Sequence, residues 1–372
     1  MGWFGRKAAR EARPFLLGAW GGAVGEPWPR SYEAQVREAY LGNPVAQRAV
    51  RLVAESVASV PVYDGGGADA AERLAAPALL EAAASHLLLH GNAFVQILLD
   101  PQAAPAELFA LRPERVAVEA GADGWPAAYL YRAGAARTRL PARDGSGRPS
   151  LVHLKAVHPL DDHYGLGCLG AAAGAVAVHN AAARWNKALL DNAARPSGAL
   201  VHAPADGGTL SAAQFERLRA EMTAQFQGPA NAGLPMLLDG GLRWEAMSLS
   251  PADMDFAELK AGAARDIALA FGVPPMLLGL PGDSTYANYR EANRALWRLT
   301  VLPLAEKILR GISDGLRAWW PDCRLMLDVD QVTALAEDRE RLWAQVSAAD
   351  FLSRAEKREM LGFGPEAEGE RR

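Results

Sequence analysis

Residues 250–320 constrain the fold of this chain most, because two long helical segments there enclose one loop rich in proline. Ser250 and Pro251 predict where the first helix begins, since serine caps helices and proline suits the first helical position. Gly272, which two prolines follow, predicts where this helix ends. The helix would hold about 21 residues and extend roughly 31 Å. Apolar residues at intervals of three and four give it one face that needs a partner: Phe256, Leu259, Ala263, Ile267 and Ala270.

The loop over residues 273–285 holds three prolines and two glycines, which restrict its backbone and interrupt any helix. A second helix is expected from residue 287 to residue 320, bent where Pro303 removes an internal hydrogen bond. An alanine-rich segment, residues 171–192, predicts a further helix of about 22 residues, close in length to the first one. Two helices of matched length can lie side by side, so we expect a paired-helix strut followed by a stiff loop.

The composition is that of a globular protein: 372 residues, 50% of them hydrophobic, provide for two or three structural units. The formal net charge of -4 is mild and does not favour a protein that binds nucleic acid tightly. Cys168 and Cys323 match no metal-ligand spacing, which fits an intracellular protein with reduced thiols. Residues 15–24 imitate a signal peptide but lack a clear cleavage site, and no apolar run is long enough to cross a bilayer.

The first half of the chain predicts an α+β unit. Helices are expected over residues 44–60 and 77–90, and an apolar strand over residues 93–99. Four further short strands are expected near Leu108, Val116, Ala127 and Leu151.

Residues 195–248 predict a small α/β module between the two matched helices. Its helix would be capped by Ser211 together with Gln214, and strands are expected over residues 197–202, 234–241 and 242–247. Residues 323–329 predict one strand that returns to the first unit. Residues 331–372 predict a charged, helical segment.

The segment from Gly165 to Gly170 matches the dinucleotide fingerprint GxGxxG and would make the chain an NAD-dependent oxidoreductase. In that fingerprint the glycines follow a strand immediately, so that the pyrophosphate meets a helix N-terminus. Here seven residues, HPLDDHY, come between, and no acidic residue ends a second strand at the expected distance. A flexible start to the alanine-rich helix is the favoured interpretation.

Two other clusters have a structural and a functional interpretation. The first cluster consists of His153, His158, Asp161, Asp162 and His163 and would be a metal site in the functional interpretation. The five-residue spacing of its histidines favours no single helical face, so a turn is the favoured interpretation. The other is a stripe of Arg290, Arg294 and Arg298 that would contact DNA or a partner, or else form a solvated face. The solvated face, balanced by carboxylates such as Glu291 and Glu306, is favoured.

A series of motifs along most of the chain resembles the portal proteins, the head–tail connectors of tailed double-stranded-DNA bacteriophages. No single motif is diagnostic, but their order is specific. They are NPV at 43–45, SVPVY at 59–63, LLHGNAF at 88–94, the segment 158–170, RPSGAL at 195–200, LDGGLRW at 238–244, SLSP at 248–251, FGVPPMLLG at 271–279 and the region 284–288.

This resemblance implies an α+β portal fold with an α/β wing, a two-helix stem, a small α/β clip, a tunnel loop with a long kinked helix, and a short helical crown. Carried onto this sequence, the parts are an N-terminal arm 1–30, the first part of the wing 31–169, a stem helix 170–193, the clip 194–249, the second stem helix 250–272, the tunnel loop 273–286, the long helix with the second part of the wing 287–330, and the crown 331–372.

The resemblance also implies roles for particular residues. The tunnel loop and DNA channel would be formed by Leu280, Pro281, Gly282, Asp283, Ser284 and Thr285. The stem would use Phe256, Leu259, Lys260, Ala263 and Ile267. The clip, where motor and adaptor dock, would use Gln227, Gly228, Asn231 and Gly233.

The family further implies a structural protein with no catalytic residue, no metal and no cofactor, present as a dodecameric ring at one capsid vertex. Its partners would be other copies of itself, the double-stranded DNA that is packaged and ejected, the major capsid protein, the large terminase (the packaging ATPase) and a head–tail adaptor. The chain would be made in the bacterial cytoplasm and reside in a virion or phage-like particle. Its compact length points to a minimal phage or a gene transfer agent, and a monomeric soluble adaptor is the remaining alternative.

Overall fold

The structure is a computed structural model that describes residues 31–67, 69–191, 198–202, 211–226, 242–246, 256–280 and 286–361. The helices are α1 (Tyr32–Val36), α2 (Pro44–Ser59), α3 (Asp69–Leu74), α4 (Pro77–His90), α5 (Leu169–Asp191), α6 (Ala212–Phe226), α7 (Phe256–Ala270), α8 (Tyr286–Leu296), α9 (Leu302–Leu316), α10 (Ala336–Ala348) and α11 (Arg354–Met360). The strands are β1 (Val62–Asp64), β2 (Asn92–Leu99), β3 (Pro105–Leu111), β4 (Val116–Ala120), β5 (Pro126–Ala133), β6 (Ala136–Pro141), β7 (Leu151–Lys155), β8 (Gly198–His202), β9 (Leu242–Ala246) and β10 (Leu325–Leu327). Two compact units result, one of residues up to Ala171 and from Ala268 onward, the other Ala172–Ile267.

Local signals in the sequence fix the ends of α2 and α4 as predicted. The Asn43 side chain accepts hydrogen bonds from the N–H groups of Val45 and Ala46, each at 3.0 Å, and Pro44 opens α2. Gly91 ends α4 with φ 83°, a left-handed conformation that glycine adopts without steric cost. Both α2 and α4 therefore begin and end within a residue or two of their expected bounds.

The centre of the larger unit is the antiparallel sheet β3-β2-β7, and helices cover one of its faces. Gly311 and Gly315 lie four residues apart on α9, so they share one helical face. A Cβ atom at Gly311 would lie 2.1 Å from Leu154 Cδ2, and one at Gly315 would lie 2.3 Å from Val152 Cγ2. The two glycines thus allow α9 to pack closely on β7.

The other face of this sheet packs against a second antiparallel sheet, β4-β5-β6. Between them lies a buried cluster of Phe94, Leu111, Val116, Tyr129 and Leu151. Because β2 is covered on both faces, its first four residues are all buried, which is typical of a central strand. Burial on both faces also explains the continuous apolar sequence from which this strand was predicted.

The sequence pattern did not predict β6, so five strands, β3 to β7, follow β2 where four were expected. Its sequence, ARTRLP, has two arginines and its first four residues are exposed, so it lacks the apolar alternation that identified the other strands. It forms because it pairs with β5 over six residues, from Ala128 opposite Pro141 to Ala133 opposite Ala136. Tertiary pairing therefore decides this element. Helix α1, also unpredicted, continues as a π-helical turn over Arg37–Leu41.

The unit Ala172–Ile267 contains most of α5 and α7, the helix α6, and β8 paired antiparallel with β9. Helix α6 begins with the predicted capping box: Ser211 N–H donates to Gln214 Oε1 at 2.9 Å, and Gln214 N–H donates to Ser211 Oγ at 3.3 Å. The predicted strand at residues 234–241 lies outside the described residues. So does the start, residues 250–255, of the helix predicted to begin at Ser250.

The predicted return strand is confirmed as β10, which pairs antiparallel with β1. Helices follow it, as the charged segment 331–372 predicted. Both cysteines are free thiols, and Cys323 is buried. Among the helices that the structure describes, none combines the length and the apolar character of a membrane span.

Candidate functional site

The end of α7 is fixed by a Schellman motif, which begins the predicted loop in a defined direction. Gly272 has φ 65°, its N–H donates to the carbonyl of Leu269 at 3.0 Å, and Val273 N–H donates to Ala268 at 2.9 Å. Thr300 Oγ1 also donates to the carbonyl of Gly272 at 2.7 Å. A side chain at Gly272 would be strained and would contact Thr300. The glycine and proline signals in the sequence therefore ended this helix as predicted.

Residues after Val273 form a short, ordered turn rather than an extended loop. Pro275–Leu278 make a 3-10 helix, and Gly279 closes it with φ 73°. Gly279 N–H donates to Met276 at 3.2 Å and Leu280 N–H donates to Pro275 at 3.4 Å. Leu280 is half-buried. The other predicted channel residues, Pro281, Gly282, Asp283, Ser284 and Thr285, lie outside the described residues.

The helix that follows the loop runs without a break from Tyr286 to Leu316, as the sequence predicted, but it ends four residues before the expected residue 320. It consists of α8, a π-helical turn at Trp297–Val301, and α9, which ends at Leu316. The wide turn lies immediately before Pro303, whose ring would clash with the carbonyl four residues earlier in a regular helix. The end at Leu316 comes before Trp320, since Pro321 disfavours a helical conformation at the residue before it.

The arginine stripe on α8 is balanced by carboxylates, as predicted, but mostly by carboxylates on α10. Arg290 Nη1 lies 2.7 Å from Glu337 Oε1, and Arg294 Nη2 lies 2.8 Å from Glu337 Oε2. Arg294 also pairs with Glu291 at 2.9 Å, and Arg298 lies 3.9 Å from Asp338. The Arg294 side chain is only 12% exposed. These pairs attach the helix after the loop to the charged helical segment, and Glu306 contributes none of them.

The glycines of the segment from Gly165 to Gly170 allow two stretches of backbone to pack closely. A Cβ atom at Gly165 would lie 2.0 Å from the carbonyl oxygen of Gly91, and one at Gly167 would lie 2.5 Å from that of Leu89. Cys168 N–H donates to the carbonyl of Leu88 at 2.8 Å. Since a backbone occupies the space beside these glycines, the segment is a packed crossing of chains, not a cradle for pyrophosphate.

Asn92 holds this crossing together, and the sequence did not identify it as a candidate functional residue. Its side chain accepts from Gly165 N–H at 2.7 Å and donates to the Gly165 carbonyl at 3.1 Å, and Asn92 is 1% exposed. The same side chain lies 3.0 Å from His90 Nδ1 and 3.0 Å from His153 Nε2. The motif LLHGNAF therefore carries a buried amide that joins β2, β7 and the segment before α5.

The histidines here are structural. Burial lowers the pKa of His153 to about 3 and the pKa values of His86 and His90 to about 4, so all three are neutral at pH 7. Asp161 Oδ1 accepts from the N–H groups of His163 and Tyr164, which makes the predicted turn. Among the residues that the structure describes, no three histidine, cysteine or acidic side chains are arranged to hold a metal ion.

The predicted stem residues divide between the buried and exposed sides of α7. Ala263 and Ile267 are buried, at 6% and 0% exposure, whereas Leu259 is 48% exposed. Burial and, secondarily, the charge of Lys260 lower the pKa of His179, which places Lys260 near α5 within the same unit. Phe256 is the first residue of α7, and its side chain is outside the described set. The predicted clip residues Gln227, Gly228, Asn231 and Gly233 are outside it too.

Comparison with known proteins identifies the family. A profile described as "Phage portal protein" matches residues 44–362, which is most of the chain. The chain belongs to the phage portal protein family. The resemblance stated from the sequence motifs, and the α+β portal fold expected from it, are thereby confirmed.

Individual proteins are similar to this chain over most of its length. An uncharacterised protein of Rickettsia felis is 41% identical over 352 residues, which cover 90% of each chain. A chain from the virion of a native gene transfer agent particle is 48% identical with a TM-score of 0.70, covering 93% of this chain and 97% of that one. A chain from the neck of the native particle, computed with C12 symmetry, is 49% identical with a TM-score of 0.71, covering 91% and 95%.

Proposed function

We propose that twelve copies of this chain form a ring at one vertex of a phage-like particle and that double-stranded DNA passes through its centre. The observation that carries this proposal is the likeness, at 48–49% identity over more than nine-tenths of the chain, to chains from gene transfer agent particles, including a neck of C12 symmetry. A ring of identical chains requires two different complementary faces on each copy, because each contact is head to tail.

The parts of the portal fit the units of the chain. Wing residues 31–169 and 287–330 fall in the larger unit, and the stem and clip, residues 170–272, largely coincide with the unit Ala172–Ile267. The matched helices α5 and α7 belong to the stem in this assignment. The clip, with Gln227, Gly228, Asn231 and Gly233, takes the packaging ATPase and then the adaptor. The wing takes the major capsid protein.

The segment from Leu280 to Thr285 faces the passing duplex. Its attachment is rigid on both sides, because the Schellman motif at Gly272 and the 3-10 turn precede it and α8 follows it. A surface that neutralised about six to ten phosphates would hold DNA in place through counterion release. The segment LPGDST has no lysine or arginine, and Asp283 repels phosphate, so the duplex slides past.

The chain supplies no energy in this function, since the packaging ATPase drives the DNA. The dinucleotide alternative has no support from the geometry, because backbones occupy the space beside Gly165 and Gly167. A structural role without catalysis or cofactor is therefore proposed.

The test replaces Asp283, Ser284 and Thr285 together by lysine and measures DNA per particle and the rate of release over a range of salt. The matched control is D69K/E72K on the exposed helix α3. Both sets change the formal charge by four, since an acidic residue replaced by lysine counts two and a hydroxyl residue counts one. We expect slowed, salt-dependent packaging or release for the loop variant only. Normal packaging at low salt contradicts the assignment of this segment to the channel.

A further inference from the structure

A cleft of about 480 Å³ between α9 and β10 has no role in the function proposed above. Buried leucines give it an apolar lining: Leu309, Leu325 and Leu327. The Ser313 hydroxyl fixes its two sides, since Leu325 N–H donates to Ser313 Oγ at 2.9 Å and that hydroxyl donates to the Leu309 carbonyl at 2.8 Å. The cleft is therefore preformed rather than created by a ligand.

Three arginines surround the cleft, one on α9, one at the end of α9 and one beside β10: Arg310, Arg317 and Arg324. Arg310 and Arg317 are seven residues apart, which places them on one helical face and about 10.5 Å apart along the axis. Arg317 pairs with Asp314 at 2.5 Å. In the part of the chain that the structure describes, no carboxylate lies within ion-pair distance of Arg310 or Arg324. Glu306 also lines the cleft, so its three arginines and one glutamate give the lining a net formal charge of +2.

The backbone at the cleft also has an edge that no strand covers. β10 pairs with β1 in a two-stranded sheet, and no strand among the described residues pairs with its other edge, where the Leu325 N–H already donates to Ser313 Oγ. An extended segment can add to such an edge through its main chain while its side chains contact the cleft. The apolar lining and the strand edge suit a protein segment better than a nucleic acid, whose phosphates need many more cationic contacts.

The sequence contains a segment of matching charge. Residues 365–370 read PEAEGE, with glutamates at 366, 368 and 370. In an extended conformation alternate residues point to one side, at intervals of about 6.6 Å, so the three carboxylates span about 13 Å. That span is similar to the separation of Arg310 and Arg317 along α9.

We propose that the α9–β10 cleft binds residues 365–370 of a neighbouring copy in extended form, by pairing their glutamates with Arg310, Arg317 and Arg324. The neighbouring copy is the occupant because a head-to-tail ring needs one surface of each copy to fit a different surface of the next. This inference rests on the ring of the proposed function. It supplies one of the contacts that join the copies.

The test uses a fluorescent peptide of residues 361–372 and measures its anisotropy against the dilute, monomeric full-length chain. We expect R310Q/R324Q to weaken binding about tenfold, since each solvent-accessible ion pair contributes a few-fold. R73Q/R341Q, at two exposed arginines away from the cleft, should leave binding unchanged. A second peptide with the order PAGEEE in place of PEAEGE keeps the composition and removes the alternation, and it should bind more weakly.

Four results would overturn the inference. One is binding that does not depend on Arg310 and Arg324, and another is equal binding of both peptides. A short DNA duplex that binds more tightly than the peptide, with the same arginine dependence, would make the cleft a nucleic-acid site. Much tighter peptide binding by an E366Q/E368Q/E370Q chain than by the wild type would show that the segment occupies the cleft of its own chain.

The fate of the ring is measured separately, by imaging particles that carry R310Q/R324Q and the wild-type chain. If the wild-type chain forms the ring but the peptide does not bind, the cleft is not the binding site and the proposed function still stands. Peptide binding without any wild-type ring rejects the proposed function, and with it the neighbouring copy as the occupant.

Discussion

The crossing around Asn92 and the contact between α8 and α10 both join segments that are distant in sequence, and they do so with opposite chemistry. At the first, a buried neutral amide bonds the backbone of Gly165, among neutral histidines. At the second, the exposed side chains of Arg290 and Glu337 form an ion pair, and Glu337 also pairs with Arg294, which is mostly buried. A buried hydrogen bond is costly to leave unmade, whereas an exposed ion pair contributes little and is screened by salt.

The two contacts therefore differ in how much stability each contributes to the fold. The Asn92 crossing holds the β-sheet and the start of α5 together, so it belongs to the fixed body of the protein. The α8–α10 contact lies at the helix that follows the proposed tunnel loop, and it consists of side-chain ion pairs.

Asn92→Ala should lower the free energy of unfolding by about 3 kcal/mol or more, because it leaves the buried N–H and carbonyl of Gly165 without partners. Urea unfolding followed by circular dichroism measures this. The loss should be the same at low and high salt, since no charge is involved. A loss below about 1 kcal/mol would mean that water or a rearranged backbone replaces the amide.

Gly167→Ala should cost about 2–3 kcal/mol, because its Cβ atom would lie 2.5 Å from the carbonyl oxygen of Leu89. Gly170→Ala is the matched control within the same motif, since no atom lies within 4 Å of its Cβ position and it is in α5. That change should be neutral or stabilise by about 0.5–1 kcal/mol. Thermal unfolding compares the two, and equal effects would contradict the packed crossing.

Acid should weaken the Asn92 side of the molecule through its neutral histidines. Burial depresses their pKa values to about 3 and about 4, below the ordinary 6.5, so the unfolded chain binds more protons. The stabilisation is therefore complete above about pH 6.5 and is lost as the pH falls toward 4. His86→Gln should reduce the loss of unfolding free energy between pH 6.5 and 5 by about 1–2 kcal/mol. Unfolding curves over this range measure the slope, and an unchanged slope would show that His86 does not contribute.

Glu337→Gln should have the smallest effect, about 1 kcal/mol, because it weakens an exposed ion pair with Arg290, while the mostly buried Arg294 keeps its pairs with Glu291 and Asp338. Glu340→Gln, an exposed residue of the same helix, should be neutral. Unfolding at 0.05 M and 1 M NaCl checks the cause, since screening should remove the difference between the variants. A salt-independent loss from Glu337→Gln would indicate a packing role instead.

Much of the fold follows from local sequence signals. Asn43, Gly91 and Gly272 end or begin helices for reasons of capping and backbone conformation that act within a few residues. Strand β6 was not predictable in this way, because its pairing with β5, and not its own pattern, makes it a strand. The π-helical turn in the long helix was also not predicted, since a proline predicts an irregular turn but not whether a bend or a wide turn results.

The candidate site was less predictable than the fold. The sequence marked a carboxylate-balanced face on α8 but not that Glu337 provides it, 43 residues beyond Arg294. It placed the glycines of the GLGCLG segment at the start of a helix but not against the backbone at Gly91. Contacts of this kind depend on how distant segments meet, and a local pattern carries no information about that. The motif LLHGNAF, with a polar residue between a helix and a buried strand, was the one available signal for Asn92.

The most direct test of the account is an averaged image of assembled particles made with this chain, at a resolution that traces the backbone. The account predicts twelve copies in a ring at a single vertex, with residues 280–285 directed at the central channel. Copies spread over many vertices, a ring absent from the particle, or these six residues on the outer surface of the ring would contradict it.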